Sequence, residues 1–286
     1  MRQRKFKFIT DVFNKDEIIE RLSPLNITQT SNTVDTAWND STMRSMPVSS
    51  RYKMVDFKKM VSNILNNIEN VFKPEKYRLD IYRARQELRL QGEAVVINGD
   101  VYHKVIYLLN STDKTKAVQM NIGFIREKNN SGVIVNVNST HKVHYTARHI
   151  KGKNLETKIA SFFDNLSNCE ELFSLQSEKL IKLNYETIKL SAIAETLQAD
   201  KYPTKFDAFK HMLLNSNTDK LNGLSPEEYK GIRSPYTMMD SKTLSIEISG
   251  YTAFQCYAEV WRSYDSHVVN RETSKMMDAI LGKDEE

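Results

Sequence analysis

The chain is 286 residues long, carries a formal net charge of +5, and is 40% hydrophobic and 27% charged; this length buries a full core as one large domain or two modest ones without disulfide or metal staples. Its two cysteines, Cys169 and Cys256, stand far apart and belong to no CxxC or Cys/His cluster, which excludes a zinc-finger or disulfide-framework protein and fits buried thiols in a reducing compartment. No apolar run approaches the roughly 20 residues that span a bilayer, and Met1 to Thr10 is basic without the apolar stretch of a signal peptide, so the expectation is a soluble, cytoplasmic protein with no membrane partner.

In chain order, a short helix is expected around residues 15–22. Residues 23–50 are rich in Ser, Thr and Asn, which suits a loosely packed arm better than a core element. Residues 1–50 are therefore read as a helix and arm. Asp56 is an N-cap, and Phe57, Met60, Val61, Ile64, Leu65, Ile68, Val71 and Phe72 follow at helical spacing until Pro74 forces a stop. From Tyr77 the period shortens to two. Tyr77, Leu79 and Ile81 alternate with Arg78, Asp80 and Tyr82, and a continuation through Arg83, Arg85 and Arg89 places several guanidinium groups on one strand face.

Asn98-Gly99-Asp100 has the residues of a tight hairpin turn, and further turns fit 111–115 and 129–132. The runs 117–126, 133–137 and 142–147 complete an antiparallel meander of about five or six strands. Asn154 caps a helix carrying Leu155, Ile159, Phe162, Phe163 and Leu166, and helical patterning extends to about Leu197, closing a unit over 51–200. Pro203, Pro226 and Pro235, with Gly223 and Gly231, divide 201–241 into small helices and loops. Tyr251, Phe254, Tyr257, Trp261, Tyr264 and Val268 then form one helical face that packs on the core, within a unit over 201–286. The fold class is α+β: an antiparallel meander flanked by helices, with a helical C-terminal part.

Positive charge is concentrated in the centre. Residues 77–158 hold 14 Lys or Arg against 7 Asp or Glu, so the remainder is slightly acidic. His141, His144 and His149 have the composition of a metal cluster, but positions 141 and 144 of a strand point to opposite faces and no carboxylate or thiol stands at a matching position. No metal site is expected. Glu93, Asp100 and Lys104 have the residue types of a metal-dependent nuclease, although Asp100 is more simply the turn residue of its hairpin. The chain has no GxSxG elbow and no Gly-rich phosphate loop. Neither catalytic residues nor a cofactor are expected.

The informative pattern is basic residues interleaved with aromatics. Arg83, Arg85, Arg89, Lys104, Arg126 and Lys128 would contact phosphates, Tyr82 and Tyr102 would stack on bases, and Arg148, Lys151 and Lys153 would anchor the backbone near a helix start. The same residues also read as the solvated face of a half-buried sheet, where Lys and Arg guard exposed edges. The sequence leaves both readings open.

Several segments together resemble the phage/plasmid-like protein family, a bacteriophage and plasmid domain of unknown function. They are PVSSRYKMVD at 47–56, the stretch GDVYHKVIYLLNSTDKTKAVQMNIGFIREKNNSG at 99–132, the Arg148-His149 pair before a long helix, and YTAFQCYAEVW at 251–261. The chain departs from the family pattern at Lys128-Asn129 and at Thr252. The resemblance implies a phage or plasmid gene product in the cytoplasm of a bacterial host, and its order of elements is similar to that of phage single-strand annealing proteins. The resulting expectation is a protein that holds single-stranded DNA in recombination or replication without catalysis, assembling into rings or filaments. The alternatives are an accessory protein that binds and modulates a host protein, and a metal-dependent nuclease.

Overall fold

A computed structural model describes residues 11–68, 71–113, 115–127, 131–133, 143–216, 224–261 and 266–282. The main antiparallel sheet has the order β1(Asp11–Val12)-β5(Lys76–Tyr82)-β6(Arg85–Ile97)-β7(Asp100–Ser111)-β8(Val118–Arg126)-β10(His144–Ala147), and β9(Ser131–Val133) also pairs with β8. The meander from β5 to β8 runs through hairpins. At the β6–β7 turn Asn98 and Gly99 adopt φ of 52° and 81°, the left-handed geometry that these two residues tolerate best.

Register assigns the two faces. Tyr77, Leu79, Leu88, Leu90, Tyr102, Ile106, Leu108, Met120, Ile122 and Phe124 alternate onto one face and join the core. The apolar stripe of α2(Phe57–Ile68) belongs to that core, and its start is capped by the Asp56 carboxylate, which accepts from the Lys59 amide at 3.0 Å. α3(Lys153–Leu166) packs on β10, and α4(Cys169–Lys182) packs on β6 and β8. Among the described residues, the element order is α+β with a helical C-terminal part, and no helix is long and apolar enough to cross a membrane.

The expected arm is structured. After α1(Lys15–Leu22), the strands β2(Leu25–Gln29), β3(Thr33–Trp38) and β4(Ser41–Pro47) form a separate three-stranded sheet. Its β3–β4 turn is Asn39-Asp40, with φ of 46° and 63°, a two-residue loop that misleads a composition reading because it lacks glycine. The sheet needs few apolar residues. Val34 packs with Val48 and Tyr52 in a small cluster of its own, and the Thr36 hydroxyl bonds that of Thr112 at 2.6 Å.

Three further expectations change. The strand does not continue through Arg83: Tyr82 pairs with Arg85 across a two-residue turn, so β5 and β6 are separate strands. Gly152, at φ 141°, precedes α3, and Asn154 lies inside the helix as its second residue. The C-terminal aromatic stripe belongs to two helices, α9(Gly250–Trp261) and α10(Ser266–Leu281), with Tyr264 outside the described residues. The expected turn at 129–132 and strand at 133–137 also lie mostly outside them.

The C-terminal part contains α5(Leu190–Thr196), α6(Pro203–Asn215), α7(Pro226–Arg233) and α8(Ser241–Leu244), with α9 buried over most of its length between α6 and α10. It is stitched by the ribbon β11(Thr187–Lys189)–β12(Glu247–Ser249). One continuous core includes the sheet and these helices.

Gly92 marks a close approach within the sheet. It falls where the β6–β7 register shifts between Gln91 and Ala94, and a Cβ there would lie 2.8 Å from Phe72 Cε2 and 3.2 Å from the Lys73 carbonyl. Phe72 is itself buried against Phe173 and has little room to yield. Gly92→Ala is therefore expected to destabilise the fold by about 1–3 kcal/mol, the usual cost of overpacking, as a lowered urea midpoint with unchanged slope.

Candidate nucleic-acid interface

The second face of the main sheet carries Arg78, Asp80, Arg85, Glu87, Arg89, Gln91, Tyr107, Gln119 and Asn121 by the same register. This face is charged but not free. Glu87 is buried and accepts from Arg85 Nη2 at 2.6 Å and from Arg89 Nη2, while the Arg89 guanidinium lies over the Tyr107 ring at 5.3 Å. Arg78 forks onto Asp80 with bonds of 2.6 and 3.0 Å.

The cations expected on that face are also divided between its two sides. Lys104 and Arg126 alternate onto the helix-covered face instead. Lys104 is buried between Glu93 at 2.6 Å and Glu170 at 2.5 Å, with its ammonium 5.5 Å from the Phe173 ring centre. Arg126 pairs with Asp100 at 2.7 Å and donates to Gln255 Oε1 at 2.9 Å.

Tyr102 cannot stack on a base. It is 0% exposed, and its hydroxyl bonds that of Tyr251 at 2.8 Å and accepts from Gln255 Nε2. Burial pushes the Tyr102 hydroxyl up to about 12, so it stays protonated. Tyr251 also donates to Asp100 at 2.7 Å. Arg85, Arg89, Lys104, Arg126 and Tyr102 thus leave the expected phosphate- and base-contacting set: their polar atoms hold the fold together, and they do not share an exposed surface. Lys128 and His141 lie outside the described residues.

The nuclease candidates separate in the same way. Glu93 belongs with Lys104, whereas Asp100 belongs with Arg126 and Tyr251. Among the described residues no group of His, Cys, Asp and Glu is arranged to hold a metal ion. His144 bonds Asn121 and the Thr146 hydroxyl, and His149 sits elsewhere, stacked on Tyr52 at 5.3 Å with planes 12° apart.

What the structure does bring together is the end of the sheet where β10 passes into α3. Thr146, Arg148, Ile150, Lys151, Gly152, Leu155 and Lys158 line a cleft of about 430 Å³. Gly152 supplies the left-handed bend into the helix, and the first turn of α3 forms one wall of the cleft, so the positive pole of the helix faces the same region. Lys158 reaches back from α3 to donate to the Thr146 carbonyl at 2.5 Å. Arg148 and Lys151 are exposed, and among the described residues neither has an ion pair. Lys153 opens α3, with a side chain outside those described.

The rim is fixed by residues that patterning did not single out. Lys151 donates its amide to the Arg51 carbonyl at 2.7 Å, Lys53 donates to the His149 carbonyl at 3.2 Å, and Tyr52 bridges Ile150. These contacts set exposed Arg51 beside Arg148 and Lys151. Lys53 answers Glu156, the acidic residue of the first turn of α3, at 3.5 Å. The basic triplet context of Arg51-Tyr52-Lys53 was the available signal, but it has no period and precedes α2, so only long-range pairing assigns it to the cleft.

His149, between two of these residues, is buried and donates from Nδ1 to the Lys53 carbonyl at 3.2 Å. Burial holds its pKa below the usual imidazole value, opposed by that hydrogen bond. Because the folded value is the lower one, the unfolded chain takes up a proton first as pH falls below about 6.5, and stability declines with it. His149→Asn, which keeps a donor for the carbonyl but cannot titrate, is expected to flatten this part of the stability profile, measured by urea denaturation between neutral and mildly acidic pH.

Comparison with family models, with curated proteins and with solved structures gives no match to the chain.

Proposed function

We propose that this protein binds nucleic acid through the phosphate backbone, at the basic end of its main sheet, and holds the strand without reacting with it. The observation that carries the reading is the pair Arg148 and Lys151: exposed, without carboxylate partners among the described residues, and lining a cleft at a helix N-terminus. A phosphate there would meet two exposed cationic side chains and the helix pole together. Register extends the surface. The β5–β6 turn at Arg83, the end of β7 at Ser111, the start of β8 at Val118 and the exit of β10 all lie at one end, because Arg85 pairs with Ser111 and Val118 with Ala147. Arg44 and Arg51 are exposed nearby; burial pushes the Asp113 carboxyl up, but the hydrogen bonds from Ser111 and Thr115, with Arg44 adding a smaller share, hold it below its usual range.

The pairing of Lys104 with Glu93 and Glu170 supports binding over phosphoryl chemistry, since an ammonium already fills the space between the two carboxylates. The sequence resemblance to phage and plasmid proteins supports recombination or replication as the setting. A second reading, engagement of a protein partner, is favoured by exposed apolar residues at the opposite end of the sheet. Val96, 71% exposed, stands two residues before Asn98, whose side-chain amide donates to the Leu180 carbonyl, and the exposed Ile181 and Tyr185 follow Leu180 in the chain.

Oligonucleotide affinity should fall steeply with salt, by a log–log slope of about 0.7 per neutralised phosphate of a single strand. The double variant Arg148→Glu/Lys151→Glu should weaken binding for all sequences alike and shrink that slope, as read by fluorescence anisotropy across a salt series. Absence of binding at low salt, or binding indifferent to salt, would overturn the proposal.

A further inference from the structure

Tyr82 and Arg83 stand at the tip of the β5–β6 turn, and little of their surroundings explains them. Tyr82 is 66% exposed, a large ring left in water at the edge of an otherwise well-filled sheet. Arg83 is exposed, lays its guanidinium over that ring at 5.3 Å, and adopts a left-handed φ of 50°. The two-residue turn requires that φ, but glycine or asparagine meets the requirement at lower cost. Among the described residues, the two-residue turns Asn39-Asp40 and Asn98-Gly99 use such short side chains. Among the described residues Gln198 is another long side chain at positive φ, exposed just after α5. The backbone at position 83 therefore asks for a small residue, while the side chain present is the one that completes a flat cationic face with Tyr82.

The tip is tied to the cleft. Thr112 donates its amide to the Ala84 carbonyl at 2.8 Å, bonds Thr36 through its hydroxyl, and accepts from the Tyr52 hydroxyl at 3.4 Å through its own carbonyl. Tyr52 in turn stacks on His149, the neighbour of Arg148. Arg83 and Arg148 are thus held at fixed positions on one end of the molecule through Thr112 and Tyr52. Three carboxylates stand near this end: Asp80 is held by Arg78, Glu87 by Arg85 and Arg89, and Asp113, next to Thr112, accepts from Ser111 and Thr115.

We infer that Tyr82 and Arg83 form a base-stacking finger that makes the basic end selective for single-stranded nucleic acid. This rests on the proposed phosphate-binding role of Arg148 and Lys151 and adds the chemical class of ligand. Phosphates seated at the cleft would carry the adjoining nucleotides across Thr112 toward the tip, where an unpaired base offers a face to the tyrosine and its phosphate meets the guanidinium. A duplex keeps its bases stacked on one another and offers the ring no such face.

The test compares three probes at low salt: an oligothymidylate, an abasic oligomer of equal length, and a duplex. Wild type should bind the oligothymidylate most tightly. Tyr82→Ala should lose about tenfold on it, the worth of one stacked base, and nothing on the abasic strand. Arg83→Gly should weaken both single strands while its melting temperature stays at or above that of wild type, since glycine relaxes the turn. Equal wild-type affinity for all three probes with both variants unchanged would sink the finger and leave the cleft standing. Failure of wild type to bind any probe would remove both.

Discussion

Glu87 lies between Arg85 and Arg89 on β6, and taking these three charges out of water costs several kcal/mol per ion unless each is answered by a partner. That constraint governs the whole meander. Wherever the sheet carries a cation into its interior it must also carry a carboxylate: Asp80 for Arg78, Glu93 and Glu170 for Lys104, Asp100 for Arg126. Charge placed inside a sheet is used up by the sheet. Among the described residues of the cleft end, Arg83, Arg148 and Lys151 are exposed cations placed where the chain leaves regular pairing.

The same logic explains how the C-terminal helices meet the sheet. Their junction includes a polar ring as well as apolar packing: Tyr102, Tyr251, Asp100, Arg126 and Gln255 answer one another's hydrogen bonds. Apolar surfaces tolerate sliding, whereas a buried ring of donors and acceptors is satisfied in only one register of α9 against β7 and β8. Removing one member leaves others unpaired in a dry environment, which is costlier than the net worth of the bond itself.

The fold was legible where periodicity is strong and failed where turn chemistry is unusual. The stripe of α2, the Asp56 cap and the Asn98-Gly99 hairpin could all be read from local residue types. The turn at Arg83-Ala84 could not, because neither residue announces a turn, and the error placed Arg85 and Arg89 on an extension of β5. The three-stranded sheet at 25–47 was hidden by its polarity: Leu25, Ile27 and Trp38 reach the main core and Val34 packs with Val48 and Tyr52, but Ser, Thr and Asn fill most of the remaining positions and mask the alternation. For the candidate site, Arg148 and Lys151 were found by charge and position near a helix start. Lys104 and Arg126 were drawn in as strand cations and Tyr102 as an interleaved aromatic, and all three are excluded by burial or pairing, which depends on which residues fold over them. Charge is visible in a sequence; its neutralisation by a residue 66 positions away, as between Lys104 and Glu170, is not.

The polar ring at the junction also bears on how the protein is made. Tyr102 and Tyr251 are 149 residues apart in the chain, whereas the meander pairs residues close in sequence. Emerging from a ribosome N-terminus first, the hairpins can close long before Gln255 exists to bond Tyr102 and Arg126. During that interval the half-built sheet shows water the face destined for α4 and α9, an apolar surface interrupted by the pairs Lys104–Glu93 and Arg126–Asp100, which the meander can form on its own.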